Sequence, residues 1–155
     1  MDVRIVDFKQ ALIAVLEHRG DPGKVNDTVK HFIDWRKRTG LSPVGSMRTF
    51  TIAYSDPDTT PPAEFRCDIC GEIEAPVPEN PEGVITKSIP AGRYAVTRHS
   101  GSLDRIGDSV YPLYRDWLPE SGESLRDFPL FFQYLKLPPE TPEHELETDI
   151  YLPLQ

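Results

Sequence analysis

Residues Ala14–Gly20 read AVLEHRG, and 81 positions later Ala95–Gly101 read AVTRHSG. The same offset relates Val25 to Ile106, Asp27 to Asp108, Val29 to Val110, Phe32 to Leu113 and Ile33 to Tyr114. Further on it relates Phe50 to Phe131, Pro57 to Pro138, Pro61 to Pro142, Glu64 to Glu145, Asp68 to Asp149 and Ile69 to Ile150. A register that holds without a gap from Ala14 to Cys70 is an internal duplication. The chain is therefore two copies of one unit, and each must contain the same elements. The copies run over about 1–74 and 84–155, and the proline-rich APVPENPEG (75–83) has the composition of a linker between them.

ALIAVLEH (11–18) and RYAVTRH (93–99) are β-branched and apolar, and read as strands. The heptapeptide is then the corner where strand turns into helix. Its glycine permits the sharp turn, and its histidine closes the strand. In the first copy Asp21 suits an N-cap and Pro22 the first helical position. Val25, Val29, Phe32 and Ile33 form one apolar stripe, and Gly40 ends the helix. In the second copy Ser102 is the cap. Leu103, Ile106, Val110, Leu113, Tyr114 and Trp117 form the stripe, and Ser121-Gly122 ends it. Pro112 lies inside this second helix and is expected to kink or split it.

Two strands follow each helix, near 48–54 and 65–73 and near 129–136 and 145–153, each pair joined by a proline-rich turn. Short leading strands are expected at 3–8 and 84–89. Neither copy buries its sheet face alone. The expected fold class is α+β: a duplicated β-α-β-β unit with pseudo-twofold symmetry, an antiparallel-rich sheet and two main helices on one face.

A net charge of −8 argues against direct nucleic acid binding, since WRKR (35–38) is the one basic cluster and reads as a helix end. No apolar run is long enough to span a membrane, and MDVRIVDFKQ is no secretory signal, so a cytoplasmic location is expected. Cys67 and Cys70 fall on a strand, where positions three apart point to opposite faces. They are read as buried thiols, not as a metal or redox site. No metal site or cofactor is expected.

The stretches YSDPDTTPPAEFRCDI (54–69), GRYAVTRHSG (92–101), LYRDWLPESG (113–122) and ETDIYLPL (147–154) together resemble the GyrI-like small-molecule-binding domain, also called the AraC effector-binding domain, which includes SbmC-type gyrase inhibitors. The resemblance implies an SHS2-like tandem fold, in agreement with the duplication. The domain begins at Val3, with no room ahead of it for a DNA-binding helix-turn-helix, which gives the expectation of a stand-alone form. Such forms resemble gyrase inhibitors, antitoxin-like proteins and, in some cases, hydrolases of cyclopropane-bearing genotoxins.

A small hydrophobic or aromatic ligand is expected in the groove between the two repeats, where helices and sheet meet. The expected ligand-binding residues are Tyr111, Trp117, Phe132, Tyr134, Tyr94 and Trp35. The resemblance implies a glutamate in the strand F-E-x-Y-L of cation-binding and hydrolytic members. Here the strand reads FFQYL, with Phe132 at that position and Gln133 on the other face. A phenylalanine can neither pair with a cation nor transfer a proton, so no catalytic residue is expected. An enzyme would need another proton-transfer group lining the pocket, such as Glu74, Asp68 or a tyrosine. The pairs Asp68/Asp149, Glu64/Glu145 and His18/His99 recur in both copies. That recurrence points to structure: a turn cap, a pairing with Arg66, or a hydrogen bond at the corner. The alternative role is a protein-interaction module acting on DNA gyrase or a transcription regulator.

Overall fold

In the computed structural model, which describes residues 1–155, every strand the sequence suggests is present. These are β1 (Val3–Phe8), β2 (Ala11–Arg19), β3 (Thr49–Ala53), β4 (Arg66–Glu72), β5 (Ile85–Ile89), β6 (Gly92–Ser100), β7 (Phe131–Lys136) and β8 (Glu147–Leu154). The chain forms two compact units, Gln10–Pro90 and Met1–Lys9 with Ala91–Gln155, called here the 10–90 and the 91–155 unit. The strand order is β3-β4-β2-β5 in the first and β1-β6-β8-β7 in the second, with antiparallel pairing throughout. The fold class is α+β.

The units are not the sequence halves, because the leading strands are exchanged. β1 of the first copy pairs with β6, and β5 of the second copy pairs with β2. The segment 75–83 accordingly lies inside the 10–90 unit. There Asn80 receives the Val84 amide and donates to the carbonyls of Pro78 and Val84.

In the 10–90 unit, Asp21 caps the Gly23 amide at 2.8 Å, and a short 3-10 turn leads into α1 (Val25–Thr39). Gly40 stops α1 in the left-handed region at φ 65°, where glycine carries no Cβ penalty. The helix buries Phe32 and Trp35 against Ala14, Cys67, Ile69 and Ile73 of the sheet. Ile33, expected on the buried stripe, is instead 39% exposed. The stripe runs through Val25, Val29, Phe32 and Arg36, and at about 100° per residue Ile33 falls on its rim. Arg36 is buried without a carboxylate partner. Its guanidinium donates to the Ser42 carbonyl and hydroxyl and to Thr49, tying the helix end to the next loop. Burial pushes its pKa down to about 10. The guanidinium lies across Gly71, where a Cβ would come within 3.2 Å of its carbon.

The second copy's helix is interrupted at Pro112, as the proline's position suggests, by a change of winding with no loss of helical course. It runs as α2 (Gly107–Pro112), a π-turn (Leu113–Trp117) and α3 (Leu118–Ser121), with the Leu118 amide donating to the Leu113 carbonyl. Pro112 and Pro119, which have no backbone donor to give, flank the wider turn. Gly122, at φ 75°, ends it.

On the face away from α1, Asp68 is fully buried. It accepts from Lys87 Nζ at 2.7 Å, Tyr54 Oη at 3.0 Å and Arg19 at 3.3 Å. Arg66, suggested as its partner, shares that face but lies over the Tyr54 ring, while Arg19, Lys87 and the Tyr54 hydroxyl occupy the carboxylate. Asp149, its counterpart, pairs with Arg98 at 2.9 Å and Arg4 at 3.4 Å. Both cysteines are free, buried thiols, as their strand placement requires. Burial raises both of their pKa values, that of Cys67 to about 11.

Removing a buried carboxylate strands its cations, so Asp68→Asn is expected to cost about 3 kcal/mol. Asp149→Asn should cost less, since both of its partners are about half exposed. Urea unfolding of the two variants checks the order. Glu72 sits below the ordinary carboxylate range because Arg48 donates to it. Its contribution is fully present above the unfolded value of about 4.5 and is lost as pH falls through the lower folded value. Glu72→Gln should therefore flatten the acid limb of the stability profile.

Candidate functional site

The repeated histidines are corner clamps. His18 Nε2 donates to the carbonyls of Gly20 and Asp21, which leaves Nδ1 to accept from the Thr28 hydroxyl at 2.7 Å. His99 does the same with the Ser102 carbonyl and the Ser109 hydroxyl, both at 2.8 Å. Gly20 and Gly101, at φ 110° and 103°, donate to Phe65 and Leu146 at 2.8 Å in both copies. Beside His99 lies a hollow of about 550 Å³, lined by Ser100, Ser102, Arg105, Asp108, Glu143 and His144 among others. Its lining is polar, and the imidazole facing it has both nitrogens engaged.

The helix-side face of the 91–155 unit differs in kind. His99 bonds to the helix and pairs in register with Thr148, so Thr148 faces the helix side. Tyr134 pairs with Thr148 and Phe132 with Ile150, which places both aromatics on that face. Both are half-buried, as are Tyr111, Tyr114 and Trp117 on the helix. Burial raises the Tyr114 phenol pKa. Tyr111 lies back along the helix. Its ring would be 3.1 Å from a Cβ on Gly107, and Arg115 stacks on it at 4.9 Å.

The duplication shows what is particular here. The counterparts of Phe132 and Tyr134 are Thr51 and Ala53, and the counterpart of Trp117 is the buried Arg36. The large core residue Trp35 is matched by Asp116, which is exposed. In the first copy the bulk is on the helix and β3 is small. In the second the bulk is on β7, and the helix, widened by its π-turn, presents aromatics that are not fully covered.

Of the six expected ligand residues, the structure places Phe132 and Tyr134 on this face and Tyr111 and Trp117 on the helix beside it. Tyr94 and Trp35 are elsewhere and fully buried. Tyr94 is on the opposite face, in an aromatic cluster with Phe8, Phe131 and Tyr151 whose ring centroids are 4.6–6.0 Å apart. Trp35 is the core of α1, stacked on Phe32. Neither lines an open surface, because each fills its own unit's interior. Gln133 faces away from Phe132, as its strand position requires, and accepts from Tyr151 Oη at 3.1 Å. Asp68 is held in its ion pairs away from α1. Thr148, which composition did not single out, is buried with no partner for its hydroxyl. The signal for it was its counterpart, Cys67, a side chain that needs no partner.

Residues 1–155 match the GyrI-like small molecule binding domain. The chain is 48% identical to the "Probable transcriptional regulator YgiV" of Escherichia coli K12, over 99% of this chain and 96% of that protein. It is 29% identical to a "DNA gyrase inhibitor" of Escherichia fergusonii, over 87% of each. Among solved structures, the EcmrR C-terminal domain is similar with a TM-score of 0.81 at 15% identity, covering 99% of this chain and 97% of that one. SAV2435 bound to tetraphenylphosphonium is similar with a TM-score of 0.60 at 10% identity, covering all of this chain and 94% of that one.

The two tryptophans report separately on core and face. Acrylamide should quench Trp117 and leave Trp35 untouched, so Trp117→Phe is expected to abolish most quenching and Trp35→Phe almost none. Equal quenching of both would contradict the burial described above.

Proposed function

This chain belongs to the GyrI-like small molecule binding domain family, and we propose that it binds a small uncharged aromatic molecule on the helix-side face of its 91–155 unit. The observation that carries the reading is the half-exposed set Tyr111, Trp117, Phe132 and Tyr134, at positions where the first copy has Lys30, Arg36, Thr51 and Ala53. Aromatic side chains with polar tips suit a surface that is apolar in its body and wet at its rim. The π-turn supports the reading as well, since such turns are frequent at functional sites.

The ligand's charge follows from Phe132. SAV2435 is bound to a cation, tetraphenylphosphonium, and cation-binding relatives are expected to hold a glutamate where this chain has Phe132. A phenyl ring adds apolar area and removes the counter-charge. Binding would serve sequestration or sensing, and the relative named as a transcriptional regulator favours sensing. A second reading, a protein-interaction module, is supported by the relatives named as gyrase inhibitors and by the net charge of −8.

A thermal-shift comparison of neutral and cationic aromatics tests the first reading. A ligand at one hundred times its Kd stabilises the fold by about 2.7 kcal/mol, which is readily seen. Trp117→Ala and Tyr134→Ala should each weaken a neutral ligand by about tenfold, the scale of one lost aromatic contact with its area. Phe132→Glu should confer binding of tetraphenylphosphonium that the wild type lacks. If the wild type binds that cation tightly, the placement of the site at Phe132 is wrong. A supercoiling assay with purified gyrase tests the second reading.

A further inference from the structure

Two buried polar side-chain atoms have no hydrogen-bond partner, the Trp35 indole nitrogen and the Thr148 hydroxyl. Such a group carries a desolvation penalty. For Trp35 the indole is a large part of the core with Phe32 and Phe65, and that apolar area offsets one orphaned donor. No similar argument covers Thr148. A valine would fill the same volume with nothing left unpaired, and the first copy manages with Cys67. The hydroxyl is therefore a departure that packing does not require.

Its surroundings narrow what could satisfy it. Thr148 lies between His99 on β6 and Tyr134 on β7, on the helix-side face. His99 has no nitrogen to offer, since Nε2 donates to the Ser102 carbonyl and Nδ1 accepts from Ser109. On the other side β7 departs from its ladder, with a register shift between Tyr134 and Lys136. Bulges of this kind occur beside binding sites, where they re-aim a neighbouring side chain. A threonine hydroxyl with no partner has one proton it does not donate, and an acceptor is the partner that takes it.

We propose that the Thr148 hydroxyl is the polar anchor of the aromatic face, donating to the carbonyl oxygen of a flat aromatic carbonyl compound. The proposal rests on the ligand-binding reading above and adds the group that selects among neutral aromatics. A ligand without an acceptor would leave the hydroxyl unpaired, and discrimination by one unpaired buried group is larger than discrimination by apolar fit alone.

The test uses 9-fluorenone and fluorene, which share a ring outline and differ in the carbonyl. Each is titrated into the full chain by calorimetry and by Trp117 emission, with wild type, Thr148→Val and Thr148→Ser. Wild type should prefer fluorenone by about tenfold, which corresponds to about 1.4 kcal/mol. Thr148→Val should bind fluorene as wild type does and bring the two affinities within about twofold, while Thr148→Ser keeps the preference. Unliganded Thr148→Val should melt no lower than wild type, because it removes an orphaned group. Equal affinities in wild type, a preference that survives in Thr148→Val, or a Thr148→Val protein that melts lower would each overturn the proposal while leaving the ligand-binding reading standing. If neither probe binds wild type, the reading of this face falls, and the anchor with it.

Discussion

The imidazole at each strand-to-helix corner sets the geometry on which both copies are built. One ring reaches three segments: the end of the strand that carries it, the turn that follows, and the first turns of the helix. His18 holds the Gly20 and Asp21 carbonyls and Thr28, and His99 holds the Ser102 carbonyl and Ser109. A buried ring with one donor and one acceptor can be satisfied in only a few arrangements, so the ring fixes where the helix starts relative to the sheet. The glycine two residues on takes a φ that other residues avoid and passes its amide to the neighbouring strand's start. Everything packed between helix and sheet inherits that placement.

From the same corner the two copies diverge. In the 10–90 unit an unbroken helix brings Trp35 into the core and lays Arg36 across Gly71, and the strand opposite is small at Thr51 and Ala53. In the 91–155 unit two prolines and a π-turn take the place of that regular helix, and the bulk moves to Phe132 and Tyr134. A turn whose hydrogen bonds span five residues does not keep the ridge spacing of an α-helix, and the aromatics it carries, Tyr114 and Trp117, are only partly buried. One copy thereby spends its apolar surface on a closed core. The other leaves aromatic surface partly exposed, and that surface is the face proposed to bind a ligand.

Charge follows a similar division. The repeat-related aspartates are buried and paired in both copies, which makes them part of the frame. The helix-side face of β7 carries no carboxylate at Phe132. Beside it on β8 the polar group out of place is the Thr148 hydroxyl, a far weaker demand than a charge and a more selective one than a methyl.

The sequence by itself determined the duplication, the corner, Asp21 and Ser102 as caps of the short turns that lead into the helices, the strand alternation that buries the two thiols apart, and the aromatic excess of the second copy. These are local or periodic signals, and a period shared by two copies is read twice. Only the tertiary structure decided which strand completes which sheet, because either copy's leading strand has the pattern to do so. It alone showed Tyr94 and Trp35 to be interior, since an aromatic residue reads the same in a core and on a pocket wall. Ile33 on the rim of the stripe, Asp68 paired with Lys87 and Arg19 in place of Arg66, and the winding of the helix past Pro112 were likewise settled by long-range packing. The orphaned Thr148 hydroxyl is the clearest case. A missing partner is a property of everything around a residue, and no reading along the chain can see it.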